Sequence, residues 1–555
     1  MNRIIFSLML LLFCAWSAEA QLLVRAQELY SRGDTLRGML TPLRTNYDIN
    51  YYHLQVRVDP DERFISGSNL FKFTATADFD RLQFDLFNNL KVERVVYKGQ
   101  ELAFEREFHA VFIDFPTTIR EGSKDEFTVY YSGHPVQAKR APWDGGFDFK
   151  KDSNGKHWIA TACQGLGASV WWPNKDHQSD EVDSLLISVS VPTGLINVSN
   201  GRFRGSEDLG DGYTRFDWFV NSPINNYNVA VNIGDYVQYS AVYEGEKGPL
   251  DLDYWVLREN AEVAIPHLEQ NVRTMLDAFE HWFGPYPFYE DGYKIVETAH
   301  LGMEHQSAIA YGNRYQNGYL GRDGSGSGWG NKWDFIVIHE SGHEWFGNNI
   351  TSKDLADMWI HESFTNYSEA LYIDYHFGKQ AGQEYIHGNR RSVQNATPLQ
   401  GPYHVNQEGS GDMYNKGGIL HNMIRTIIND DEKWRAILRG LNSEYYHQTV
   451  DYDDVVSYIS EHAGIDLAPV FTQYVQHAKL PVLEFFFDAD NNATCRWIAD
   501  VPNFNMPIRV RTKGGEYQLI EPGRRATRVE IPGLTKENLE VDTFNFYIGV
   551  LVNGL

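Results

Sequence analysis

A chain of 555 residues with a hydrophobic fraction of 42% has material for about three packed domains of ordinary size. Its net charge of −25 argues against nucleic acid as a partner and for a very soluble surface. No long acidic tail carries that charge, so it reads as a solvated surface spread over the whole chain.

The first 20 residues have the form of a signal peptide. Arg3 gives a positive start, Ile4 to Trp16 is almost wholly apolar, and Ala18-Glu19-Ala20 has the small-x-small form that signal peptidase cuts. The run is too short to span a bilayer comfortably and no later one is long enough. The expectation is a secreted or periplasmic protein, cleaved near Ala20, with no stable membrane span. Cys14 lies in this segment. Cys163 and Cys495 remain, outside any C-x-x-C pair, and are expected to be structural thiols, with their pairing left open.

From about Tyr47 to Val242 the pattern has period two. Tyr52, Leu54, Val56 and Val58 alternate with polar residues, as do Leu82, Phe84 and Leu86. Leu186 to Val189 and Asn228 to Val231 read as further strands, with turns such as Glu207 to Gly212 between. This predicts an antiparallel β domain over residues 21–242. Thr161 to Ser169, small and Gly-rich before Trp171-Trp172-Pro173, interrupts it as a loop near a packed surface.

Helical periodicity starts near Asn260 with Ile265, Leu268, Val272, Met275, Leu276, Phe279 and Phe283, and Gly284-Pro285 stops it. Tyr293 to Val296 reads as a short strand, Gly312 to Gly330 as a flexible loop, and Trp333 as the opening of a helix. Trp359 to Tyr375 is a second helix, with Glu362 and Glu369 two turns apart on one face. Further helical runs reach Tyr474, and Lys479-Leu480-Pro481 is a boundary. Val482 to Phe487 and Ile508, Val510 and Thr512 return to strand. The fold class is therefore α+β and multidomain, with a mixed domain over 243–480 and a short C-terminal β domain over 481–555.

Within the first of these helices stands His339-Glu340-Ser341-Gly342-His343, and Glu362 follows His343 by 19 positions. Histidines four apart share a helix face and can hold one metal ion, with Glu362 as a third ligand from the next helix. Two His, one Glu and an open fourth position make a catalytic zinc site, one Zn²⁺ per chain. Glu340 sits one position round, within reach of water at the metal without being a ligand. The alternative is a surface helix with ordinary charges. Ile336, Val337, Ile338, Trp345 and Phe346 imply a buried helix instead, where His and Glu need partners.

The stretch from Gly302 to Gly417 resembles the zinc aminopeptidases related to aminopeptidase N and leukotriene hydrolase, a branch of the gluzincins. Their H-E-x-x-H-x18-E is met by His339, Glu340, His343 and Glu362, their W-x-G-N by Trp345 to Asn348, and their Y-x-K-G by Tyr414 to Gly417. Their G-x-M-E-N is met in part: Met303 and Glu304 fit and Gly302 takes the variable place, but Leu301 and His305 replace the first glycine and the asparagine. Gln164, nine residues before Pro173, falls on their substrate-contacting Gln or Glu.

The resemblance implies a thermolysin-like catalytic domain and an aminopeptidase acting on peptides with a free N-terminus. A zinc-bound water is the implied nucleophile, Glu340 the general base and Tyr414 the donor to the oxyanion. Glu304 with the Gln164 side-chain oxygen would hold the substrate amine, and Gly302 and Met303 would line that site. Glu369 either orients a ligand histidine or is a solvated helix charge, and His305 is expected as a hydrogen-bonded neighbour, not a fourth ligand. Many relatives add a helical domain over the site, and without one a more open cleft for longer peptides is expected. Two other readings remain: an endopeptidase, which would not need Glu304, and a peptidase-like protein that binds without cleaving. Oligomeric state is not legible.

Overall fold

Residues 30–554 are described by the computed structural model, and the expected signal peptide at 1–20 lies outside them. The alternating segment of the N-terminal part builds an eight-stranded sheet. Its centre pairs Tyr47–Asp59 with Phe64–Ala75 on one side and Ser184–Pro192 on the other. The second of these pairings is parallel, Tyr52 opposite Leu185 and Val56 opposite Val189, an exception in a sheet that is otherwise antiparallel as expected. Alternation reports which face is buried and carries no information on strand direction.

Val229 to Val231 are not a strand either. They follow a single 3₁₀ turn at Asn226–Asn228, and the Val231 amide bonds the Thr161 hydroxyl at 3.0 Å. A short buried apolar run looks alike in strand and loop. Sequence periodicity also misses two short helices, α1 (Arg32–Gly38) and α2 (Pro42–Thr45). They are tied to the strand Phe79–Asp85 of a separate three-stranded sheet by fully buried Arg44, which donates to Asp85 Oδ2 at 2.7 Å and to the carbonyls of Leu36 and Asp176.

A five-stranded sheet separates the N-terminal β domain from the helices. Tyr236–Gly245 pairs with Gly248–Leu257, so a hairpin crosses the 242/243 boundary expected from sequence. Tyr293–Glu297, Ile309–Tyr311 and Gly302–Met303 complete the sheet. One face of it, through Val296, Met303 and Ala310, packs in the N-terminal core, and the other, through Ile295, Ile309 and Tyr311, in the helical core. The edge strand that presents Glu304 is thus clamped from both sides.

Helix α3 (Ala261–Phe283) turns its apolar face, Leu268, Val272, Met275, Leu276 and Phe279, to that core and ends at Gly284 with φ 93°. Helix α4 (Phe335–Gly342) starts one residue after Asp334, not at Trp333; the Asp334 carboxylate caps the amides of Ile336 and Val337 at 3.0 and 3.3 Å. Helix α5 (Trp359–Phe377) is buried without a break from Trp359 to Ile373. Helices α6 (Lys379–Asn389) and α7 (Asn415–Ile428) flank it. The core runs on into the C-terminal β strands through Leu483, Phe485 and Trp497. Lys416 crosses the same seam, its ammonium bonding the carbonyls of His477 and Ala478 at 3.1 and 2.9 Å.

The Gly-rich stretch 312–330, expected to be a flexible loop, is pinned. Asn313 donates to Gln316 O, Gly318 O and Asp334 Oδ1 within 2.8 Å, and the Trp329 indole N–H bonds Glu384 at 2.8 Å. Cys163 and Cys495 are buried and unpaired. Among the described residues no helix is long and apolar enough to cross a membrane.

Candidate active site

Helix α4 ends as His343 takes the C-cap position, still αR (φ −65°, ψ −21°), so His339 and His343 stay one turn apart on one face. Each ring is held at Nδ1. His339 donates to Glu369 Oε1 at 2.7 Å, and His343 to the Phe346 carbonyl at 3.1 Å. Those bonds select the tautomer that leaves Nε2 of each ring turned inward. Glu362 Oε2 lies 3.8 Å from His339 Nε2 and 3.5 Å from His343 Nε2.

The three residues suit a zinc ion. Ligand atoms about 2.0–2.1 Å from a tetrahedral zinc stand about 3.4 Å apart, close to the separations found here. Glu362 Oε2 is buried with no hydrogen-bond partner, a costly state for a carboxylate unless a cation meets it. Burial works against charge on His339, yet its contacts with Glu362 and Glu369 raise the imidazole well above its ordinary value. The same balance raises His343, where burial is outweighed by Glu362 and Glu304. Positive charge is what the cluster lacks.

Glu369 is not the solvated helix charge that sequence left open. It is fully buried, and its second oxygen accepts the Tyr385 hydroxyl at 2.5 Å. Tyr385, Phe346 O and Thr365, whose hydroxyl lies 3.2 Å from His343 Nδ1, escape sequence reasoning because tertiary packing alone delivers them.

Glu340 lies in the same cleft, which has a volume of about 400 Å³. Burial first, then the charge of Glu304, push its carboxyl up to about 7 against the pull of His339. A Cβ at Gly302 would stand 2.6 Å from Glu340 Oε1 and 2.8 Å from Ile336 Cγ2. Gly302 is therefore the space in which Glu340 sits. Tyr414 leads into α7, and its ring stacks over His339 with centroids 5.9 Å apart. Burial, then the charges of Glu362 and Glu304, keep its phenol protonated.

Glu304, 3% exposed, lines the same cleft beside Glu340 and His343. Its Oε1 accepts the Gln164 amide N–H at 2.6 Å and the Tyr227 hydroxyl at 3.2 Å. The Gln164 nitrogen also faces Glu362 Oε1 at 3.3 Å, which leaves its oxygen as the atom for an incoming amine. Met303 lines the cleft beside it while packing into the N-terminal core. The Asn348 side chain of the W-x-G-N stretch donates to the Glu304 carbonyl at 2.8 Å and fixes the backbone there. Tyr227 carries no motif signal; it lies in the turn just before the run read as a strand.

His305 departs from expectation. It is not among the metal-facing residues, and neither is it hydrogen-bonded: both ring nitrogens are buried without a partner. Burial and nearby His300 lower it to about 3, so it fills its place as a neutral ring. Leu301 lines the cleft, partly buried.

Residues 267–474 match the model of the Peptidase family M1 domain. Endoplasmic reticulum aminopeptidase 1 of Mus musculus is 24% identical over 306 residues, 53% of this chain and 32% of that protein. Tricorn protease-interacting factor F2 of Thermoplasma acidophilum is 21% identical over 526 residues, 89% of this chain and 61% of that protein. This chain thus spans less than two thirds of the length of either relative. A mutant M1 zinc metallopeptidase of Deinococcus radiodurans, solved with a Tyr-Ser-Ala substrate, superposes with a TM-score of 0.67 at 19% identity, over 81% of this chain and 98% of that one. A two-domain M1 zinc metallopeptidase mutant bound to L-tryptophan gives 0.68 at 20% identity, over 81% and 99%. Those likenesses show a shared fold, with its N-terminal β domain and helical catalytic domain. Residues 267–474, which carry His339, Glu340, His343 and Glu362, form a peptidase family M1 domain.

Proposed function

We propose that this protein is a zinc aminopeptidase that removes the first residue from peptides with a free N-terminus. One observation carries the reading: Glu304, Glu340 and His343 have side-chain ligand atoms within 4.8 Å of one another. A carboxylate free of metal duty, fixed that close to the metal ligands, suits one substrate group, an amine one residue from the scissile bond.

Zinc held by His339, His343 and Glu362 would supply Lewis acidity toward the scissile carbonyl and a water that ionises near neutral pH. Glu340 accepts the proton of the attacking water and delivers it to the leaving amine. The Tyr414 phenol donates a hydrogen bond to the oxygen on which negative charge develops. Glu304 and the Gln164 oxygen bind the α-amine, a charge-assisted contact strengthened by burial. Tyr227 and Asn348 hold Glu304 in place, and Glu369 holds His339. Export after cleavage near Ala20 is part of the proposal, supported by the Arg3, apolar, Ala-x-Ala pattern; N-terminal sequencing of the protein recovered from its native host tests it.

Fluorogenic aminoacyl reporters, assayed free and N-acetylated, with and without a chelator, test the activity. Cleavage of the free-amine forms alone, abolished by the chelator, is the expected result. Equal cleavage of acetylated substrates, or no loss with Glu304→Ala, would make the protein an endopeptidase instead.

A further inference from the structure

Five carboxylates line the cleft, Glu304, Glu340, Glu362, Glu369 and Glu408, and no lysine or arginine does. The first four have roles above. Glu408 has none, and it lies outside every motif. It is exposed to the cleft, yet the protein around it desolvates the carboxyl, and that, with the charges of Glu362 and Glu304, pushes it up to about 7. Among the described residues it has no hydrogen-bond or ion-pair partner. It lines the same cleft as Glu304 and Gln164. Its backbone is held firmly: a Cβ on the next residue, Gly409, would stand 1.8 Å from Leu399 O, and the Ser410 amide bonds Pro398 O at 3.0 Å.

A second group reaches the cleft from the N-terminal domain. Trp143 lines the cleft with its side chain 67% exposed. A lone exposed indole is ordinary, but this one is placed with care. The Asp144 carboxylate accepts from the amides of Lys139 and Arg140 at 2.8 and 2.9 Å, and the Trp143 amide bonds Arg140 O at 3.0 Å. Gly145 then lies against Leu166, to which an added Cβ would come within 3.0 Å, so the turn sits on the segment that carries Gln164.

We propose that Glu408 and Trp143 receive the side chain of the substrate's first residue and select a long cationic one, arginine or lysine. The stem of such a side chain packs on an indole and its charge stacks on the ring face. An unpaired carboxylate among like charges gains more from a cation than from any neutral group. The proposal rests on the aminopeptidase reading and names its substrate class.

Zinc-loaded protein assayed on arginyl, lysyl, norleucyl and phenylalanyl coumarin amides tests it, norleucine being the uncharged shape of lysine. kcat/KM for arginyl and lysyl substrates is expected at least tenfold above norleucyl. In Glu408→Gln that ratio falls to within threefold of one, through KM, and Glu408→Lys drives it below one. Trp143→Ala lowers the ratio by a few-fold. A norleucyl or phenylalanyl preference, or a ratio that Glu408→Gln leaves unmoved, overturns the proposal. Should no reporter be cleaved, it is the aminopeptidase reading that fails. Calorimetric binding of L-argininamide against L-norleucinamide then decides the selectivity: tighter argininamide binding lost in Glu408→Gln supports it, and equal affinities overturn it.

Discussion

The metal end of the cleft and the end proposed for the substrate amine are built in opposite ways. His339, His343 and Glu362 come from two consecutive helices, and every atom that steadies them, Glu369, Phe346 O and Tyr385, is buried beside them. At the amine end Gln164 and Glu304 are 140 residues apart in sequence, and Tyr227 reaches Glu304 from a third segment. The metal end depends on helix geometry that one domain supplies. The amine end exists only when the N-terminal β domain is docked on the five-stranded sheet. The metal-facing residues thus lie within the self-contained part, and Gln164, Tyr227 and Glu304 meet at a seam between domains.

Variants should respect that division. Glu340→Gln, which leaves all three metal-facing residues intact, is expected to lower kcat by about 10²- to 10⁴-fold with zinc content unchanged by elemental analysis. Loss of zinc along with activity would mean that Glu340 belongs to the metal set. Glu369→Gln keeps the shape of the His339 contact but not its charge; zinc affinity in a chelator competition should fall by about 10- to 100-fold. At the other end, Tyr227→Phe removes one bond to Glu304 and should raise KM for free-amine substrates by about two- to tenfold, the worth of one hydrogen bond, with kcat nearly constant. A loss of kcat as deep as that of Glu340→Gln would erase the contrast drawn here.

The smallest effect concerns the seam itself. Glu181 sits on a two-residue strand paired with Ile224–Asn225, just before the turn that carries Tyr227. Burial, eased by contacts with Thr351 and Asn225, raises its carboxyl from an ordinary 4.5 to about 8. Between those values the folded chain keeps a proton that the unfolded chain has released, so this group's contribution to stability is full below the ordinary value and is lost as pH rises through about 8. Glu181→Gln should therefore match the parent melting temperature near pH 4.5 and exceed it by a few degrees near pH 8. An equal offset at both pH values would show that the carboxyl ionises freely.

Much of this was legible beforehand where the signal is local. Four-residue spacing on a helix brought His339 and His343 together, and the apolar flanks announced burial. A partial motif located Glu304 and a complete one Tyr414. Strand direction at Ser184–Pro192 was hidden, because period-two alternation is the same for parallel and antiparallel pairs. The turn at Asn226–Asn228 was hidden by the apolar run after it, and Tyr227 with it. His305, read as a bonded neighbour, proved a neutral buried ring, since a residue's type does not disclose whether a partner lies within reach.

By itself the sequence determined the long helices, the metal-facing residues and the place of Glu340 beside them, since these follow from spacing within one or two helices. The tertiary structure alone decided the role of Glu369, which solvent or burial could have claimed, and the need for glycine at position 302, where Glu340 occupies the room of a side chain. It also decided the meeting of Gln164, Tyr227 and Glu304 across the domain seam, and that Trp143 and Glu408 line one cleft. Contacts between distant segments depend on how packed domains dock, and no local pattern encodes that geometry.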